Sequence, residues 1–148
     1  MSNDCLICRK QNGQAFLPGE AIYQDELVFA CHAFIDVENP QVYLGWLSVE
    51  TRRHIPGLAE LTDEEGQALG KLIARLSRAL IACTDAEHIY LFVLGHGVPH
   101  LHVHLIARYP GAPREYWGAR VDEWPDAPHG GPLEITALCE KLRLWLNG

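Results

Sequence analysis

His100-Leu101-His102-Val103-His104-Leu105-Ile106 alternates imidazole and aliphatic side chains along its first six residues. In an extended chain, neighbouring side chains point to opposite faces, and residues two apart stand roughly 7 Å from one another on the same face. Read as a strand over residues 100–108, the segment puts three imidazoles on one face and Leu101, Val103 and Leu105 on the other. Such a strand is half core and half polar site. Just upstream, residues 89–94 read as another strand, followed by Gly95-His96-Gly97-Val98-Pro99 as a tight turn. The pair is therefore expected as an antiparallel hairpin turning near His96.

Working outward, Leu61-Thr62-Asp63-Glu64-Glu65 is a helix start, with Thr62 as cap and Glu65 completing a capping box. Apolar residues follow at Leu69, Leu72, Ile73, Leu76, Leu80 and Cys83, at helical spacing. This long helix should lay that stripe on the sheet. Residues 26–36 and 42–49 read as further strands, separated by the turn residues Glu38-Asn39-Pro40. Residues 109–132, rich in Pro, Gly and Trp, are expected to run irregularly over the surface. Residues 134–147 form a second amphipathic helix, with Ile135, Leu138, Cys139, Leu142, Trp145 and Leu146 on one face. Strands grouped with two helices predict an α+β domain with an antiparallel sheet.

The length of 148 residues suits one domain with a real core. The formal net charge of −7 argues against a nucleic-acid polymer as partner, which calls for a basic face. It leaves room for a small anionic ligand held by local donors. No secretory signal and no membrane span are legible, so a cytoplasmic protein with no membrane partner is expected. Five cysteines is an odd count, and a reducing compartment disfavours disulfides. Cys5-Leu6-Ile7-Cys8, within a compact knuckle over residues 1–13, is a C-x-x-C pair that suits zinc or free thiols. A redox pair would call for a helix directly after it, which Arg9 to Gly13 does not suggest.

Two chemistries suit the histidine row. Closely spaced imidazoles on a strand can hold an open metal site for a hydrolase. Alternatively, a neutral imidazole can approach an anionic phosphate as a nucleophile while its neighbours donate to the phosphoryl oxygens.

The row resembles the histidine-triad (HIT) family motif, His-φ-His-φ-His-φ-φ with φ apolar, at every one of its positions. Ala33-Phe34-Ile35-Asp36-Val37 is similar to the family's Ala-Phe-x-Asp-hydrophobic segment. Arg52-Arg53-His54-Ile55, leading into the Leu61 to Glu65 helix start, is similar to its basic-basic-His-Ile segment. The resemblance implies a HIT-like α+β fold: an antiparallel sheet of about five strands carrying one long and one C-terminal helix. It implies a nucleotide hydrolase or nucleotidyl phosphoramidase acting at the α-phosphorus of a nucleoside phosphate or dinucleoside polyphosphate. His102 would be the nucleophile, forming a covalent nucleotidyl-histidine, and His104 would hydrogen-bond a phosphoryl oxygen or the leaving group. Asp36 would hold the ribose hydroxyls and Phe34 would lie beside the base. Histidine rather than glutamine at 104 favours hydrolysis over transfer. Zinc-containing members further imply a structural Zn2+ at Cys5, Cys8, His54 and His100. Mg2+ is expected with a polyphosphate substrate, and a homodimer as the assembly.

Three departures stand out. Gly45-Trp46 replaces a Gly-His pair, and Trp cannot accept a proton. The short turn at residues 95–99 replaces a longer Asn-Gly and Ala-Gly-Gln stretch, so His96 is expected to supply a catalytic donor there. Ala107-Arg108 replaces Pro-Arg. The departures keep open a binding module that retains the triad without turnover. His32, on an apolar strand, is expected as a hydrogen-bonded core residue; it, His88 and His129 are given no functional role.

Overall fold

The computed structural model describes residues 4–35 and 37–148, built around a five-stranded antiparallel sheet. A short helix, α1 (Leu6–Gln11), precedes β1 (Tyr23–Gln24) and β2 (Val28–His32). There follow β3 (Val42–Tyr43), β4 (Trp46–Thr51), the long helix α2 (Asp63–Thr84), β5 (His88–Phe92) and β6 (His102–Arg108). β7 (His129–Gly130) and α3 (Pro132–Asn147) end the chain. The sheet order is β1-β2-β4-β6-β5, so the histidine strand β6 lies between β4 and β5, while β3 and β7 pair separately.

Alternation along the strands sends Val28, Ala30, Leu47, Val49, Val103 and Leu105 to one face. There they meet the apolar stripes of α2 (Leu69, Leu72, Leu76, Leu80) and α3 (Ile135, Leu138, Leu142). Each buried Val, Leu or Ile among them stabilises the fold by roughly 1.5–3 kcal/mol. The opposite face of the sheet is left for the polar site.

α2 begins as its capping box dictates. Thr62 Oγ1 accepts from the Glu65 N–H at 3.1 Å, and Glu65 Oε1 accepts from the Thr62 N–H at 2.9 Å. Glu65 also takes both arms of the Arg53 guanidinium, at 2.8 and 3.0 Å, which ties the helix start to the segment bearing His54. Thr62→Ala is expected to cost about 1 kcal/mol, read as a lower urea midpoint with an unchanged slope.

Several boundaries differ from those expected. The strand expected from residue 26 begins at Val28, because the Asp25 carboxylate accepts the N–H groups of Leu27 (2.8 Å) and Val28 (2.9 Å), making a turn there, and it runs to His32. The strand over 42–49 is two strands in different sheets. Gly45, at φ +89°, breaks it in the left-handed region. β5 and β6 pair antiparallel, but their last pair is Phe92 with His104, and residues 93–101 form a long connection in place of a tight turn. The C-x-x-C is followed by a helix after all: the Cys5 Sγ accepts the Cys8 N–H at 3.4 Å and caps α1. α3 starts earlier than expected, at Pro132, whose missing N–H costs nothing in a first helical turn. Residues 109–132 are largely irregular apart from a turn of 3-10 helix at Arg114–Tyr116, the two residues of β7 and the first residue of α3. Among the described residues, no helix is long and apolar enough to cross a membrane.

Candidate active site and metal centre

β4 and β6 are in register with Glu50 opposite His102, Ser48 opposite His104 and Trp46 opposite Ile106. Because Val103 and Leu105 enter the core, His102 and His104 project from the other face, their ring centroids 4.9 Å apart. The Nδ1 of His102 lies 2.7 Å from the His100 carbonyl oxygen. A carbonyl only accepts, so Nδ1 carries the proton, and the neutral ring keeps a lone pair at Nε2. The Nδ1 of His104 lies 3.0 Å from the indole nitrogen of Trp46. An indole N–H only donates, so here Nδ1 accepts and the proton sits on Nε2. The two adjacent rings therefore hold opposite tautomers: an electron pair at His102 Nε2 and a donor at His104 Nε2. Burial, with His102 alongside, pushes the pKa of His104 below the ordinary histidine value.

Trp46 owes its place to the break before it. The buried His32 donates from Nδ1 to the Ala33 carbonyl (2.8 Å) and accepts the Gly45 N–H at Nε2 (3.0 Å). It is the hydrogen-bonded core histidine expected from its apolar strand, with burial pushing its pKa down to about 4. A Cβ at Gly45 would stand 2.6 Å from the Tyr109 hydroxyl oxygen. Gly45→Ala is thus expected to destabilise by about 1–3 kcal/mol and to move Trp46, read as a lower Tm and altered tryptophan emission.

Beside this pair lies a buried carboxylate, although no acidic residue stands near the triad in sequence. Glu50 is fully buried and accepts from Lys10 Nζ (2.7 Å), Gln11 Nε2 (3.1 Å) and Ser48 Oγ (2.7 Å). Burial opposes the charge on Lys10, but its buried partners, Glu50 among them, outweigh it and raise the lysine pKa. α1 thereby clamps the sheet face next to His102. Only the cross-strand register, which sequence periodicity does not reveal, joins Glu50 to the site.

His100 does not stand in the row. The strand starts at His102, and the fully buried His100 ring turns toward the N-terminal knuckle. Its Nε2 donates to the Thr51 carbonyl at 2.7 Å, which leaves the Nδ1 lone pair facing inward. That Nδ1 is 3.4 Å from both Cys5 Sγ and Cys8 Sγ and 3.2 Å from His54 Nδ1, with Cys8 Sγ 3.3 Å from His54 Nδ1. All four ligand atoms lie within 4.8 Å of one another. Zn–S bonds of ~2.3 Å and Zn–N bonds of ~2.0–2.1 Å give tetrahedral edges of roughly 3.3–3.8 Å, so the four donors are set at near-coordination spacing. A carbonyl fixing the far nitrogen of a ligating histidine is the usual outer support of a metal centre. The residues present fit zinc, and the convergence of two imidazoles on the thiols favours metal over a redox pair. Magnesium finds no comparable cluster among the described residues.

A cavity of about 400 Å3 opens against His104 and Trp46, walled by Phe34, Tyr43, Asp122 and His129. Phe34, half-buried, meets Phe16 edge-on at 5.6 Å. Asp36 lies outside the described residues. His96 is exposed on the 93–101 connection. Sequence reasoning missed Asp122 and His129; both come from the irregular segment, where no periodicity marks them, and His129 reaches the wall because β7 pairs with β3.

A family model described as "HIT domain" matches residues 14–111. A Bacillus subtilis protein named Protein hit is 30% identical over 115 residues, covering 73% of each chain. Among solved structures, a hypothetical histidine triad nucleotide-binding protein from Sulfolobus tokodaii superposes with a TM-score of 0.73 at 20% identity, over 97% of this chain and 92% of that one. A Zn-bound histidine triad family protein from Mycobacterium smegmatis gives 0.70 at 19% identity, over 97% and 94%.

Proposed function

Because this chain belongs to the HIT domain family, we propose that it is a hydrolase acting at the α-phosphorus of a nucleotide, with His102 as the nucleophile. The observation that carries this reading is the pair of opposed tautomers, a lone pair on His102 beside an N–H on His104. His102 Nε2 attacks phosphorus, and the His100 carbonyl at Nδ1 stabilises the positive ring that results. His104 donates to a phosphoryl oxygen, where negative charge builds. Water then releases the nucleoside monophosphate and restores the neutral imidazole. Phe34 packs against the base, Asp36 takes the ribose hydroxyls, and His96 donates from its loop as substrate binds.

Zinc at Cys5, Cys8, His54 and His100 would be a closed, structural ion that fixes the segment leading into β6. The Zn-bound relative supports that choice of metal. With His100 committed there, the open three-histidine metal site loses one of its three ligands. Five free thiols suit a reducing cytoplasm. Exposed Leu91 on the edge strand β5, with exposed Ile81 on α2, suits a homodimer through that edge.

Incubation with diadenosine triphosphate is expected to yield AMP. Tight nucleotide binding with no AMP over long incubation would overturn the hydrolase reading in favour of a binding module.

A further inference from the structure

Trp46 decides what His104 can do. The indole N–H occupies Nδ1 at 3.0 Å, and the two rings meet edge-on with centroids 5.7 Å apart. A second proton on His104 would have to sit on Nδ1, where it would face another N–H. We infer that Trp46 locks His104 as a neutral Nε2–H donor that cannot act as a general acid, and that the site therefore takes phosphoanhydrides in preference to phosphoramidates. The inference rests on His102 being the nucleophile and adds the leaving-group class.

The chemistry separates the two substrates. With an anhydride, the His102 Nε2 pair forms the N–P bond and the bond from phosphorus to the bridging oxygen breaks. Its electron pair leaves on a phosphate oxygen, and no proton moves. Such an oxygen ionises near pH ~6, so it departs readily as an anion. With a phosphoramidate, the P–N bond breaks and the nitrogen must gain a proton to leave as an amine. His104 could give its Nε2 proton only by becoming an imidazolate, because Nδ1 holds no proton to compensate. The surroundings agree with a ring kept neutral. Burial, then His102 on β6 and Lys10 on α1, oppose a charge on His104, against Glu50 on β4, which favours one. From the cavity wall, Asp122 and His129 also face it. Phe92, opposite on β5, brings no charge.

Trp46 thus acts through His104 as a positioning residue, and Trp46→Phe keeps a ring while removing the donor. In the wild-type protein, kcat/KM for diadenosine triphosphate is expected to exceed that for adenosine 5′-phosphoramidate by at least about 100-fold, the low end of what a general acid supplies. In Trp46→Phe, the ratio is expected to move at least about 10-fold toward the amidate, increasingly so as pH falls from 8 to 6, while the wild-type ratio stays flat. A wild-type preference for the amidate, or a ratio and pH profile untouched by Trp46→Phe, would overturn the inference. Should that variant fold poorly, nitrogen-15 NMR of the wild-type protein decides. A bare Nδ1 and protonated Nε2 on His104 support the lock, and a proton on Nδ1 at pH 7 overturns it. Amidate preference with nucleotide still trapped on His102 sinks this inference alone. Failure of both substrates sinks the hydrolase reading and this inference with it.

Discussion

His102→Ala is expected to lower kcat for AMP release by at least about 10³-fold, which corresponds to about 4 kcal/mol of lost transition-state stabilisation. The ring supplies the attacking atom, and the adjacent His104 offers no lone pair in its place. His104 presents a proton at Nε2, and its Nδ1 pair is spent on Trp46. The folded state loses little, since the His102 ring is only half-buried and its bond to the His100 carbonyl is worth about 1 kcal/mol. The check is steady-state kinetics beside a thermal melt. Retained turnover in a folded variant would remove His102 from the chemistry.

Loss of the metal should have the second large effect, on stability. Cys8→Ser is expected to abolish stoichiometric zinc and to cost at least about 3 kcal/mol, in the range of the largest single-residue effects. At ~2–4 °C per kcal/mol for a chain of this size, Tm should fall by about 6–12 °C. Two thiols and two imidazoles at 3.2–3.4 Å, with no ion between them, bring polar groups together at a burial cost that only coordination offsets. Activity should fall too, because His100 serves both centres: its ring faces the cluster while its carbonyl orients His102. Metal analysis and melting with and without a chelator check this. Wild-type protein that is isolated without metal and melts unchanged under chelation would contradict it.

What the sequence revealed about this molecule was local. The Thr62–Glu65 box, the α2 stripe and the two-residue alternation of His102 and His104 each depend on neighbours along one element, and each is found in the structure. The C-x-x-C was visible as a metal candidate for the same reason, and its partners His54 and His100 followed from the family resemblance. Contacts across strands were hidden. Glu50 meets His102 through register alone, and Trp46 reaches His104 because Gly45 bends the chain immediately before it. The substitution of Trp for His at 46 reads in sequence as a lost proton acceptor. In three dimensions it is a gained donor that sets a tautomer. His100 misled for the opposite reason: its place in a perfect alternation suggests the shared face, but it precedes the strand and the Thr51 carbonyl turns its ring to the thiols.

The central claim is that a phosphorus–nitrogen bond forms at His102. Rapid acid-free quench of the protein with α-32P-labelled diadenosine triphosphate, followed by peptide mapping at alkaline pH, tests it directly. Label is expected on the peptide carrying His102, acid-labile and absent from His102→Ala. AMP production with no trapped label under conditions that slow hydrolysis, or label on another residue, would contradict it.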